Sequence, residues 1–199
     1  MTVKHFFFDL ETTGVNIEKS GIVQIAGIVD VNSRAVEGFS FRVQPKPGAV
    51  IEQEALDVIG ATAEEIAAYP TMASVFIAVR EKLKRYCNPY NKKDKFHLTG
   101  FNNAQFDNQL LRRWWADNND SYFGSFFWSN PVDVMTLAGV FLQDERAEMP
   151  NFKLRAVAEA LGLEMDATKL HDALYDVQLT RAAYYRCMGA MLNRPTLFN

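Results

Sequence analysis

The chain has 199 residues, 48% of them hydrophobic, and two cysteines, which is enough apolar material for one sizeable core and excludes disorder and small disulfide scaffolds. Cys87 and Cys187 lie far apart with no Cys or His cluster around them, which excludes structural zinc and reads as reduced thiols, and no stretch approaches a membrane span or a secretion signal, so the chain reads as soluble and cytoplasmic. With 21 Lys and Arg against 24 Asp and Glu the formal charge is -3, which on its face argues against a nucleic-acid partner.

Residues 3–11, VKHFFFDLE, form a dense aromatic run that reads as a buried strand ending in carboxylates. Residues 21–30, GIVQIAGIVD, read as a second strand, Asn32, Ser33 and Arg34 as a turn, and 36–44 as a third strand completing an antiparallel meander. Pro45, Lys46, Pro47 and Gly48 end it, since proline cannot donate to a ladder. Short helical pieces follow, one with Thr62 as N-cap and Glu65 at capping-box spacing. A longer helix is predicted over about 72–86, with Val75, Phe76, Val79 and Leu83 on one face. A polar loop at 88–95 leads to a short strand at 96–100, then Asn102, Asn103 and a helix through Trp115. An aromatic segment, 122–128, precedes helices ending near Phe141 and Leu161, the latter stopped by Gly162, and a last helix from about Asp172 to Met191. The pattern predicts one α/β domain, 1–191, with a mixed sheet flanked by helices and a short tail, 192–199.

Three segments carry the chemistry. Asp9 and Glu11 are two apart on a strand, so they share a face with His5 and Phe7. Two like charges about 4 Å apart at an effective dielectric of 20 cost about 4 kcal/mol, which favours a cation between them; equally, the strand could simply end in solvent. Asp107, one turn into its predicted helix, is followed at i+3 and i+4 by Leu110 and Leu111 and so lies near the inward face; a first-turn aspartate serving the helix dipole is the plainer alternative. In His171-Asp172-Ala173-Leu174-Tyr175-Asp176, the two aspartates fall on one helix face, Asp172 reads as the N-cap, and His171 suits a loop reaching over a site. Hard oxygen donors from three segments plus one histidine describe a magnesium or manganese site, and a two-ion site of this kind supports in-line phosphoryl displacement.

Together, Phe-Asp-Leu-Glu-Thr-Thr-Gly from Phe8, Asn-Asn-Ala-Gln-Phe-Asp from Asn102 and His-Asp-Ala-Leu-Tyr-Asp from His171 resemble the three motifs of the DEDDh, DnaQ-like 3′→5′ exonuclease family. That family includes the proofreading epsilon subunit of bacterial DNA polymerase III and exonuclease I, whose catalytic domain is the closer likeness. The resemblance implies a ribonuclease H-like fold with a five-stranded mixed sheet. It also implies removal of nucleoside 5′-monophosphates from DNA, single-stranded 3′ ends preferred, with RNA trimming as the alternative and a non-catalytic binding module as the alternative of another class.

By the same resemblance two divalent cations, Mg²⁺ or Mn²⁺, would be held by Asp9, bridging, Glu11 and Asp176 on one side and Asp107 on the other. His171 would be the general base, and Leu10, Thr12, Thr13, Asn103 and Phe106 would contact substrate. Ile59-Gly60 and Asn102-Asn103 stand where relatives often have His-Gly and His-Asn. Two divalent ions would carry the formal charge from -3 to about +1, removing the objection to nucleic acid. Of the clustered basic residues and the aromatics Trp114, Trp115, Phe123, Phe126, Phe127 and Trp128, most read as solvated faces or core. The tail, with Leu197 and Phe198 at a polar end, resembles short peptides that dock a sliding clamp or polymerase, though it lacks their usual glutamine.

Overall fold

The computed structural model describes the backbone of residues 2–166 and 172–192 and the side chains of 2–166 and 172–189. His171 and the tail residues 193–199 lie outside the described residues. The strands are β1 (Lys4–Thr12), β2 (Ile22–Val31), β3 (Arg34–Arg42), β4 (His97–Gly100) and β5 (Val132–Asp133). The helices are α1 (Gln53–Ile59), α2 (Ala63–Ala67), α3 (Met72–Lys84), α4 (Asp107–Asp117), α5 (Phe123–Phe126), α6 (Val134–Phe141), α7 (Leu154–Ala160) and α8 (Ala173–Leu192). The sheet order is β3-β2-β1-β4-β5, with β1–β3 antiparallel and β4 and β5 parallel to β1. This is the five-stranded mixed sheet flanked by helices that the motifs imply.

Alternation along β1 sorts the molecule into layers. Phe6, Phe8 and Leu10 point to one face, where α3, α4 and α5 bring Val75, Phe76, Val79, Leu83, Leu110, Leu111, Trp114, Trp115, Phe123, Phe126 and Phe127 into one core. Phe7 points to the other, against Val134 and Ala138 of α6, Val157 of α7 and Ala173, Val177, Ala183 and Tyr184 of α8. Asp9 and Glu11 continue the Phe7 face, so they leave the sheet on the side that α8 covers. The aromatic residues considered for base stacking are mostly core, with Trp115 and Phe126 fully buried. Lys82, Lys84, Arg85 and Arg113 are paired with carboxylates.

Several boundaries differ from expectation for local reasons. Asn32 and Ser33 have φ of 51° and 67°, the left-handed pair of a two-residue hairpin turn, so Arg34 opens β3 instead of sitting in the turn. A bulge beside Asp30 then throws Val36 outward, 42% exposed. β5 has two residues, too few for any periodicity. Thr62 and Glu65 do form a reciprocal capping box, with bonds of 2.8 and 3.2 Å.

α8 is anchored to the sheet by a polar clamp. The carboxylate of Asp30 is fully buried and accepts Nε of Arg181 at 2.7 Å and the hydroxyl of Tyr185 at 2.9 Å. The same Arg181 donates to the carbonyl of Ser33 at 2.9 Å. A buried charge needs such partners, because removing one strands the other at a cost of roughly 3–5 kcal/mol. The clamp thereby fixes the azimuth of α8, and with it the face on which Asp176 sits. Cys87 and Cys187 are free and buried. Among the described residues no helix is long and apolar enough to cross a membrane.

Candidate active site

The site lies at the carboxyl ends of the parallel strands, where an open α/β sheet leaves a crevice. Asp9 and Glu11 occupy the end of β1, opposite Ala26 and Gln24 of β2. Asp107 is the first residue of α4, not one turn inside it, because Phe106 is the N-cap. Leu110 and Leu111 beyond it are buried as the spacing requires. Asp176 lies in the first turn of α8, behind Asp172, whose carboxylate accepts the Tyr175 N–H at 2.9 Å. Asp172 is thus the N-cap, as expected. Asp107 and Asp176 thus each sit in the first turn of a helix, where the dipole stabilises negative charge by about 0.3–1 kcal/mol.

That assistance does not offset the crowding. The Asp9 carboxyl is pushed well above its ordinary value by burial first, then by the charges of Asp107, Glu11 and Asp176, against a restraining bond from the Leu10 N–H. Asp107 is raised to about 7, again by burial first and then by Glu11 and Asp133, opposed by its own backbone N–H. Four carboxylates from three segments thus meet in one half-buried site, where Asp107, Glu11 and Asp176 act on Asp9 and Glu11 on Asp107. Their donor chemistry, hard oxygen under mutual repulsion, fits a hard divalent cation. Among the described residues no three His, Cys, Asp or Glu side chains are drawn together as a ready-made cage.

The chain has three histidines, and two are remote from this cluster. His5 and His97 pair across β1 and β4 at the opposite end of the strands, about 13 Å from Asp9 at strand rise. Burial first, then the charge of His97, lowers His5 to about 4, and its ring bonds the Thr99 hydroxyl at 2.9 Å. It is a neutral core residue. His171 lies outside the described residues.

The five expected substrate contacts divide. Leu10 points away from Asp9 and Glu11 into the core, 7% exposed. Thr13 is fully buried: its hydroxyl donates to the Val50 carbonyl at 2.6 Å and accepts the Gly21 N–H at 2.9 Å. Asn103 is 1% exposed, packs on Gly100 and donates to the Asn108 side chain at 3.1 Å. The side chains of these three serve the scaffold, because the pleat and two tight loops turn them inward. Thr12 and Phe106 remain part-exposed beside the carboxylates, with the Thr12 hydroxyl donating to the Gly14 carbonyl at 2.9 Å. Thr13→Val, close in shape, is expected to lower unfolding free energy by about 1–3 kcal/mol in urea titration, since it strands a buried donor and acceptor. An unchanged midpoint would refute the linking role of that hydroxyl.

Two residues of this neighbourhood escaped the sequence reading. Glu52 lays its carboxyl against Gly14, where a Cβ would come within 2.4 Å of it, so the loop after β1 passes over that side chain only because residue 14 is glycine. Asp133 closes β5 and caps α6, accepting the N–H groups of Met135 and Thr136. An aspartate immediately before the apolar run Val-Met-Thr-Leu is an N-cap signal that the sequence does carry.

This fold and cluster define a class. The family model RNase_T, described as exonuclease, matches residues 6–184, and the chain belongs to that exonuclease family. A DNA polymerase III subunit epsilon-like protein of Rhodobacter capsulatus is 30% identical over 190 residues, 94% of this chain and 24% of that protein. Ribonuclease T of Cronobacter sakazakii is 25% identical over 183 residues, 86% of this chain and 75% of its own. Among solved structures, E. coli exonuclease I in complex with a dT13 oligonucleotide matches with a TM-score of 0.71 at 22% identity, over 96% of this chain and 42% of that one. A zinc-bound complex of E. coli exonuclease I with single-stranded DNA gives 0.74 at 21% identity, over 97% and 42%. The chain therefore spans about a quarter of the first relative and about two fifths of exonuclease I. Its fold is the ribonuclease H-like fold of exonuclease I.

Proposed function

We propose that this chain is a metal-dependent 3′→5′ exonuclease that releases nucleoside 5′-monophosphates from single-stranded DNA ends. The observation that carries the reading is the half-buried Asp9 carboxylate, raised by desolvation first and then by the charges of Asp107, Glu11 and Asp176 together. Asp9 would hold both of two divalent ions, Mg²⁺ or Mn²⁺, with Glu11 and Asp176 on one and Asp107 on the other. Such ions, when bound, lower the pKa of a water and stabilise charge on phosphoryl oxygens. Phe106 and Thr12, part-exposed at the rim, would flank the terminal nucleotide. His171 would take the proton of the attacking water, a role worth about 10²–10⁴ in rate, and the other two histidines are placed too far away to do so.

A second reading is 3′ trimming of RNA, favoured by the ribonuclease T relative, of which the chain covers 75%. Matched DNA and RNA oligonucleotides, labelled at the 5′ or 3′ end and incubated with Mg²⁺, Mn²⁺ or EDTA, test both. The 5′-labelled strand is expected to shorten one nucleotide at a time, the 3′ label to leave at once as a mononucleotide, and EDTA to stop both. Internal cleavage, 5′→3′ shortening or activity in EDTA would each contradict the proposal, and the faster strand type decides between DNA and RNA.

A further inference from the structure

Residues 102–106 carry the chain from β4 to the start of α4, and thus deliver Phe106 and Asp107 to the carboxylate cluster. Asn103 and Phe106 pin its middle and end by packing, while the stretch around Asn102 and Ala104 lies on the surface. Asn102 adopts φ 57°, a left-handed conformation that asparagine enters more readily than other side chains, and Ala104 and Gln105 are exposed. What holds the backbone of that surface stretch is a carboxylate from another strand. Asp133 stands beside Gly100 in the parallel β4–β5 register. Its Oδ1 accepts the Asn102 N–H at 3.0 Å and its Oδ2 the Ala104 N–H at 3.3 Å. The same Oδ1 accepts the N–H groups of Met135 at 2.9 Å and Thr136 at 3.4 Å. An N-cap needs only the last two bonds. The first two join the cap of α6 to the loop before α4, and that loop is tied onward to α4 through the Asn108 N–H and the Asn103 carbonyl at 3.0 Å.

We propose that Asp133 is a positioning residue for the reaction: its bonds to Asn102 and Ala104 set the place from which Asp107 and Phe106 act. The inference rests on the nuclease reading above for the role of Asp107, whereas the anchor itself does not. The informative variant is Asp133→Ser, because serine still caps α6 but is too short to bridge to Asn102 and Ala104. Its melting temperature is expected to stay near that of the wild type. Amide hydrogen exchange at Asn102 and Ala104 is expected to speed up while Met135 and Thr136 stay protected. On a single-stranded oligonucleotide, kcat is expected to fall about 10–100-fold, the range found when partners of metal ligands are removed, with KM within about threefold. Asp133→Asn, which keeps one acceptor, is expected to recover part of the loss. Unchanged exchange at Asn102 and Ala104, or a kcat within twofold of wild type in Asp133→Ser, overturns the proposal. A wild-type protein that degrades no oligonucleotide would count against the nuclease reading, and the exchange measurement would still accept or reject the anchor.

Discussion

Asp9→Ala is expected to abolish 3′→5′ degradation, with kcat lower by more than about 10³-fold, while binding of a single-stranded oligonucleotide is partly kept and the metal-free fold is not weakened. The loss follows from the centre of the site: Asp9 is the carboxylate that Asp107, Glu11 and Asp176 all act upon, and the one assigned to both ions. A loss of that size corresponds to about 4 kcal/mol of barrier, which is what removal of shared charge stabilisation can account for. Retention of the fold follows from the same electrostatics. A half-buried carboxylate acted on by three others opposes folding when ionised, so its removal relieves repulsion and leaves only a small gap. End-labelled digestion, a binding titration in EDTA and a thermal melt check the three parts. Wild-type rates in the variant would remove Asp9 from the site, and a collapsed melt would show that its carboxylate supports the fold instead.

Much of this was legible in the sequence because the strand period carries it. Residues 5, 7, 9 and 11 fall on one face and 6, 8 and 10 on the other, which places the acids beside α8 and the phenylalanines against α3–α5. That same period turns Leu10 away from the carboxylates. Burial of Thr13 and Asn103 was not legible, because it depends on loops returning from far along the chain: Val50 and Gly21 meet Thr13, and Gly100 makes room for Asn103. β5 was hidden for lack of length. Asp133 was hidden for a different reason. Its cap of α6 is local and could be read, but its bonds to Asn102 and Ala104 go to backbone N–H groups about thirty residues away, and backbone groups leave no mark in the sequence.

In EDTA, the fold is expected to lose stability as pH rises from about 4 to about 7, and divalent cations to restore it. Asp107 has an ordinary value of 3.8 and is raised to about 7 in the folded protein, with Asp9 raised in the same direction. Between these limits the folded chain holds protons that the unfolded chain has released, so raising the pH favours unfolding; below 3.8 both states are protonated and the contribution is complete. For Asp107 alone the span corresponds to at most about 4 kcal/mol. Glu37 and Asp94 act in the opposite sense: burial would raise them, but Lys82 and Lys4 hold both below their ordinary values. The clean measure is therefore the difference between wild type and Asp107→Asn, which cancels those terms. Ions bound at a hundred times their Kd add about 2.7 kcal/mol, or about 5–10 °C in melting temperature for a chain of this size. At pH 5 protons compete for the same oxygens, so the gain there is smaller than at pH 8. Melts in EDTA and in Mn²⁺ from pH 4 to 8 test the linkage. A wild-type minus Asp107→Asn difference that is flat with pH, or an equal Mn²⁺ shift at pH 5 and pH 8, would show that these carboxylates are not forced together by the fold.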